Sequence, residues 1–283
     1  MKNGVQQMML GSVCSSEDKT NEVLKKIKAA GYDGIEVNQY MIHPTSLFVR
    51  GLTKMAGMPS GNCGKYDWVS LLKNNGLEAI SLHTDLDSLE KKPDYVLKDA
   101  ESFKVKYIVI TGMYYYSYHK LEKVVELAER LNRAGKMLKE HGYSLLYHNH
   151  NVEMVKVNEE QSAYDILIAN TDPQYVNFEV DAYWLSDSGK NPLDVMKKLG
   201  DRMKLWHVTD RGVRIKNTPI TPIVKYDSVE LGTGNLDLDA LYEYCQERNI
   251  EYCILESHKN WINGSPLDSL LLSSKYLNSK KKV

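Results

Sequence analysis

Residues 107–150 read YIVITGMYYYSYHKLEKVVELAERLNRAGKMLKEHGYSLLYHNH. The run Tyr107–Thr111 is β-branched and aromatic. After a tyrosine-rich turn, Leu121–His141 carries apolar residues at helical spacing. Gly142 stands where that helix must stop, because glycine accepts the left-handed conformation at little cost, and Ser144–His150 then opens a second apolar run. Strand, helix, glycine and strand make one βαβ unit, whose crossover joins parallel neighbours.

The same cadence repeats outward in both directions. Further strands are expected at Val5–Leu10, Gly34–Asn38, Ala79–His83, Tyr175–Asp181, Met203–Thr209 and Tyr252–Glu256. Helical patterns lie at Thr20–Ala30, Tyr66–Asn75, Glu159–Asn170, Pro192–Leu199, Leu238–Arg248 and Leu267–Ser279. Eight strand–helix units imply a parallel sheet, and eight is the number that closes as a (β/α)8 TIM barrel. A doubly wound open sheet is the alternative, but it usually carries a glycine-rich phosphate loop after its first strand. None stands there, and Gly232-Thr233-Gly234 lacks the third glycine and reads as a turn. Residues 1–283 therefore read as one α/β TIM-barrel domain with insertions at about 43–65 and 211–231. Both insertions follow strand C-termini, the barrel face on which active sites are assembled, and are expected to wall or cover a substrate pocket.

Composition narrows the function classes. The 283 residues are 42% hydrophobic, enough for a large core and too apolar for extensive disorder. Thirty-six Lys and Arg balance 37 Asp and Glu, which argues against a protein held by nucleic-acid phosphates or anionic lipid. No apolar run approaches the roughly 20 residues of a membrane helix, and the N-terminus reads as a strand rather than a signal peptide. The four cysteines are widely spaced with no Cys-x-x-Cys pair, so free thiols in a cytoplasmic setting are expected.

Residues able to bind a metal collect where the strands end. His83, His148, His150 and His207 end or nearly end strands, and His258 lies just beyond one. Glu36, Glu153, Asp181 and Glu256 occupy equivalent places, and in a parallel barrel all of them face one opening. Glu153, Asp181, His207 and Glu256 form a three-carboxylate, one-histidine set that suits a divalent cation, Mn²⁺ first, with Mg²⁺, Co²⁺ or Zn²⁺ as alternatives. Each also has a structural reading: Glu256 could pair with Lys204, and Asp181 could cap the helix that follows it. Strand alternation puts His148 and His150 on one face, and His150, nearer the mouth, is the expected base for a carbon-bound proton, with His148 beside it. The other reading has one of these histidines orienting Glu153. His83, Glu36, Asp210 and Trp184 are expected to contact substrate, the indole as a flat apolar face.

With these motifs in place, the chain resembles the sugar phosphate isomerase/epimerase superfamily, the xylose isomerase-like barrels, over nearly its whole length. The likeness rests on Gly31-Tyr32-Asp33-Gly34-Ile35-Glu36, Tyr147-His148-Asn149-His150-Asn151-Val152-Glu153, Glu179-Val180-Asp181, His207-Val208-Thr209-Asp210 and Leu255-Glu256. The resemblance implies a divalent-metal barrel with Glu153, Asp181, His207 and Glu256 as ligands. Many relatives end the fifth strand with Glu-x-His; here His148 holds the glutamate's place, so the first ligand is either Glu153 or His148 itself. A narrower branch is also similar, the catalytic α subunits of C-glycoside deglycosidases, through Ala56-Gly57-Met58-Pro59 and the fifth-strand histidines. That branch implies a small β-rich partner subunit and an oligomer.

The expected chemistry is removal of a proton beside a sugar carbonyl, leading to C-glycoside lysis of 3-oxo-glycosides or to isomerisation or epimerisation of a sugar or sugar phosphate. A non-catalytic sugar-binding subunit is the remaining alternative. A metal-dependent nuclease would need a basic face that the charge balance does not provide.

Overall fold

Alternation along short apolar strands sends successive side chains to opposite faces, so a closed sheet needs one apolar set inside and another outside. The computed structural model describes residues 1–55, 60–215 and 217–281 and has this arrangement. In chain order the strands are β1 (Lys2–Gln6), β2 (Gly34–Asn38), β3 (Glu78–Thr84), β4 (Tyr107–Ile110), β5 (Ser144–His148), β6 (Val176–Asp181) and β7 (Met203–Val208). The antiparallel pair β8 (Asp210–Gly212) and β9 (Asp227–Val229) follows, and then β10 (Tyr252–Leu255). Strands β1 to β7 and β10 are parallel and close as a barrel in the order β1-β10-β7-β6-β5-β4-β3-β2.

Outside the sheet, residues such as Ile35, Leu145, Tyr147, Phe178 and Val180 pack against the helices in one large core. Inside, Ile80, Tyr107, Val109, Leu146, Leu205, Tyr252 and Ile254 form a separate apolar plug. Gly4 and Gly34 make room for it: a Cβ on Gly4 would lie 2.3 Å from Ile80 Cδ1, and one on Gly34 2.8 Å from Ile80 Cγ1. The plug is the floor of everything built at the strand C-termini.

Several boundaries differ from those the sequence suggests. The first strand spans Lys2–Gln6, while Gln7–Leu10 turns as a 3-10 helix, because the Gln6 side chain accepts the Met8 N–H at 3.1 Å and draws the chain inward. The fifth strand stops at His148, two residues short of the expected end. Two unforeseen helices, Leu86–Lys91 and Pro93–Phe103, join β3 to β4; Pro93 starts the second where the first has ended. The helix expected from Glu159 begins at Ala163, where Ser162 and Asp165 form a reciprocal capping box. In the first insertion, Leu47–Met55 is helical and Cys63–Lys65 is a 3-10 turn, while Ala56–Pro59 falls outside the described residues. The second insertion is the β8–β9 hairpin, whose Arg211 leans over the Tyr226 ring and toward Asp187 beyond β6. All four cysteines are buried free thiols. Among the described residues, no helix is long and apolar enough to cross a membrane.

Gly4→Ala should destabilise the protein by about 1–3 kcal/mol by overpacking the plug. Ile80→Val, which removes the overlapped Cδ1, should recover part of that loss in a urea-denaturation double-mutant cycle. Additive effects of the two substitutions would contradict the contact.

Candidate metal centre

Strand register assembles the site. His148 lies beside Glu179 across β5 and β6, Asp181 beside His207 across β6 and β7, and His207 beside Ile254, two residues before Glu256. Alternation along β6 turns Glu179 and Asp181 to the same interior face, one above the other. The result is two polar layers resting on the apolar plug.

The lower layer contains no exposed group of consequence. Glu36 and Glu179 are fully buried, and His83 is 5% exposed. Glu179 Oε2 accepts from His83 Nε2 at 3.0 Å and His148 Nδ1 at 2.9 Å, with His207 Nε2 3.3 Å away. Glu36 accepts from Gln6 at 3.0 Å, faces His83 at 3.0 Å, and is hydrogen-bonded to Ser81 and His207. Burial works against charge on His83, yet Glu36 and Glu179 push it up to about 10. Burial would likewise raise Glu179, but His207 and His83 hold it well below the usual carboxylate range.

Two overlapping groups could hold an ion, His83, His148, Glu179 and His207 in the lower layer and His148, Asp181, His207 and Glu256 in the upper one, which carries the strand-end carboxylates the sequence singles out. One atom each from His148, Asp181, His207 and Glu256 lies within 4.8 Å of the others, and all four residues are buried. Carboxylates only accept, so the ring nitrogens facing them carry protons: His148 Nδ1 donates to Glu179 and His207 Nε2 donates to Glu36. That leaves His148 Nε2, 3.9 Å from Glu256 Oε2, and His207 Nδ1, 2.9 Å from the same oxygen, turned toward the cluster. Asp181 Oδ1 accepts the Trp184 N–H at 3.0 Å as a helix cap. Burial pushes Asp181 up to about 7, with Glu256 adding to the effect and His148 opposing it. Asn149 holds this strand end in place. Its side-chain amide donates to the Asp181 carbonyl (3.2 Å) and accepts the Asp181 N–H (3.0 Å), substituting for a peptide once β5 has stopped.

Above the donors, the His150 ring lies 4.9 Å from that of His148 and 5.9 Å from Trp184, and Trp184 also contacts His258 at 5.6 Å. Burial, and then His148, push His150 down to about 3, so it is neutral at ordinary pH. His258 Nε2 is buried without a hydrogen bond, 3.8 Å from Glu256 Oε1.

Asp181, His207 and Glu256 thus come together as the sequence suggests, but Glu153 stands apart from them. It is fully buried, and its two oxygens accept from Tyr147 Oη (2.7 Å) and the His150 N–H (2.9 Å). His148 is the residue that clusters with them. Glu36 and His83, expected on the substrate, are buried in the lower layer, where His83 is hydrogen-bonded to Glu179 and Glu36 to His207. Asp210, also expected on the sugar, is 1% exposed and accepts the N–H groups of Arg211, Gly232, Gly234 and Leu236, so it braces the turn after β9. Trp184 stays at the opening. His258, noted just beyond a strand, lies beside Glu256 and Trp184, and Glu179 joins the site without having been given a role; the alternation from Asp181 back to Glu179 was the available signal.

Residues 24–275 match the xylose isomerase-like TIM barrel family. The chain belongs to that family. An inosose dehydratase of Clostridium tetani is 28% identical over 170 residues, covering 57% of this chain and 56% of the relative, so the match spans little more than half of that protein. Among solved structures, a sugar phosphate isomerase/epimerase from Parabacteroides distasonis shares the fold with a TM-score of 0.72 at 20% identity, covering 98% of this chain and 93% of the other. The IolI protein with a bound zinc atom superposes with a TM-score of 0.64 at 16% identity, covering 99% and 97%.

The arrangement fits a divalent cation in this xylose isomerase-like barrel. Two imidazoles are pre-aimed by buried carboxylates, and two further carboxylates face them. His207 Nδ1, hydrogen-bonded to Glu256, must give up its proton to act as a ligand. Zn²⁺ or Mn²⁺ titrated into metal-free protein in weak buffer should therefore release about one proton or more per ion bound. Binding without proton release would contradict the assignment of His207.

Proposed function

We propose that the chain is a metal-dependent, carbohydrate-active enzyme that removes a proton from the carbon beside the ketone of a sugar or cyclic polyol and completes the turnover by 1,2-elimination. The observation that carries this reading is the buried donor set His148, Asp181, His207 and Glu256 with the neutral ring of His150 4.9 Å from that of His148. A cation held there supplies Lewis-acid polarisation of the substrate carbonyl. With two imidazoles among four donors the set is richer in nitrogen than the sequence implied. That favours Zn²⁺, Mn²⁺ or Co²⁺ over Mg²⁺.

The protein's own groups then have separate tasks. Trp184 offers an apolar face between two imidazoles, on which a sugar ring can lie. His150 enters uncharged and accepts the α-proton. The C–H electrons form the new double bond, and the group on the next carbon departs with its bonding pair. Loss of hydroxide, as the name of the inosose dehydratase relatives suggests, and loss of an aglycone carbon from a 3-oxo-glycoside share this course and differ only in the leaving group. His258 supports a second outcome, since a second imidazole against Trp184 could return the proton and give epimerisation.

The test is proton exchange in D₂O with the metal-loaded enzyme, followed by NMR on keto-inositols, 3-oxo-glucosides and ketose phosphates. The proposal predicts deuterium at the carbon beside the ketone for at least one class, with an unsaturated product marking elimination. His150→Ala should slow exchange by about 10²–10⁴-fold while metal content is retained. No exchange in any class, or unchanged exchange in His150→Ala, would overturn it.

A further inference from the structure

Glu153 is a buried carboxylate close to the donor cluster but outside it, and its surroundings suggest a different task. It sits in the 3-10 turn Val152–Met154, immediately after the histidines of β5. A chain of hydrogen bonds ends on it. The Met113 N–H reaches Tyr118 Oη at 2.8 Å, Tyr118 Oη lies 3.1 Å from Tyr147 Oη, and Tyr147 Oη donates to Glu153 Oε1 at 2.7 Å. An amide can only donate and a carboxylate oxygen can only accept, so every proton in this chain points the same way: Tyr118 donates to Tyr147, and Tyr147 to Glu153. Both tyrosines are buried, at 2% and 0% exposure, so water does not compete for these bonds.

The other oxygen, Oε2, accepts the backbone N–H of His150 at 2.9 Å. Glu153 therefore ties the segment that follows β4 to the residue that carries the proposed base. Gly112 supplies a second, independent observation. A Cβ there would lie 2.9 Å from Glu153 Oε1, 3.3 Å from Tyr118 Oη and 3.4 Å from His150 Nδ1. The carboxylate, the phenol and the imidazole all converge on a position that is open only because residue 112 has no side chain.

We propose that Glu153 is a positioning residue that, with Tyr147, Tyr118 and Gly112, fixes the backbone and ring of His150 over the donor set, and that it does not ligate the metal. The inference rests on the proposed role of His150, but two of its three readouts are independent of turnover.

The experiment compares Glu153→Ala, Glu153→Gln, Gly112→Ala and Tyr147→Phe with the parent protein. Co²⁺ titration of the metal-free proteins reads ligation, ¹⁵N-histidine NMR reads the His150 ring, identified by its loss in His150→Ala, and D₂O exchange reads catalysis. Co²⁺ affinity should stay close to that of the parent in every variant, since the Glu153 carboxylate hydrogen-bonds to Tyr147 and the His150 N–H and to none of the four donors. The His150 resonances should move in Glu153→Ala and Gly112→Ala, with kcat for exchange falling about 100-fold and KM little changed, as expected for a displaced catalytic group. Glu153→Gln keeps an acceptor for the His150 N–H if Tyr147 reverses its hydroxyl, and should recover most of that loss. If Glu153→Ala does not fold, Gln and Phe, which remove less, carry the same comparison. A loss of Co²⁺ affinity in Glu153→Gln beyond the roughly 10–100-fold that removal of a supporting residue costs would make Glu153 a ligand and overturn the inference, as would an unmoved His150 signal in Gly112→Ala and Glu153→Ala. Failure of exchange in the parent would count against the proposed reaction alone, because the titration and the NMR would still decide the role of Glu153.

Discussion

Glu36 and Glu179 lie inside the barrel with no access to solvent, and each is held against imidazole rings by short, charge-assisted contacts. Burying a carboxylate is unfavourable by several kcal/mol unless charge and hydrogen bonds compensate, so each carboxylate fixes which way the rings around it face. His148 and His207 both turn a protonated nitrogen down toward this pair, and their remaining nitrogens turn up. The donor set is a consequence of the layer beneath it. His83, engaged by both carboxylates, completes that layer without reaching the opening.

The lower layer depends in turn on the apolar plug. Gly4 and Gly34 let Ile80 fill the barrel axis, and Leu146, Leu205 and Ile254 stand two residues before His148, His207 and Glu256 on their strands. Strand alternation therefore stacks polar on apolar in each of these three strands, and the strands that bury the plug also carry the donors. A barrel with a slipped register would expose the plug and scatter the donors together.

Much of this was readable from the chain. The βαβ cadence determined the barrel, because helix stops at glycine and apolar runs of strand length leave few other parallel architectures. Asp181, His207 and Glu256 were legible as a set because each ends a strand. What could not be read was depth. Glu36, His83 and Asp210 look like pocket residues in a linear sequence, and only the closed sheet shows that two lie under the donors and the third braces a turn. Between Glu153 and His148 the sequence left the choice open, because both lie close to the fifth-strand end; β5 ends at His148 and the chain then turns, sending the Glu153 carboxylate to Tyr147 and the His150 amide. The first strand was misplaced for a similar reason: a side-chain hydrogen bond from Gln6 converts an apolar run into a 3-10 turn, a local competition that periodicity does not register.

The central claim is that a cation binds between two imidazoles whose far sides are held by buried carboxylates. Anomalous diffraction at the zinc edge from Zn²⁺-loaded crystals tests it most directly. The account predicts one strong peak at about 2.0–2.2 Å from His148 Nε2, His207 Nδ1 and oxygens of Asp181 and Glu256. A peak bonded to Glu153, or to the nitrogens that face Glu36 and Glu179, would contradict it.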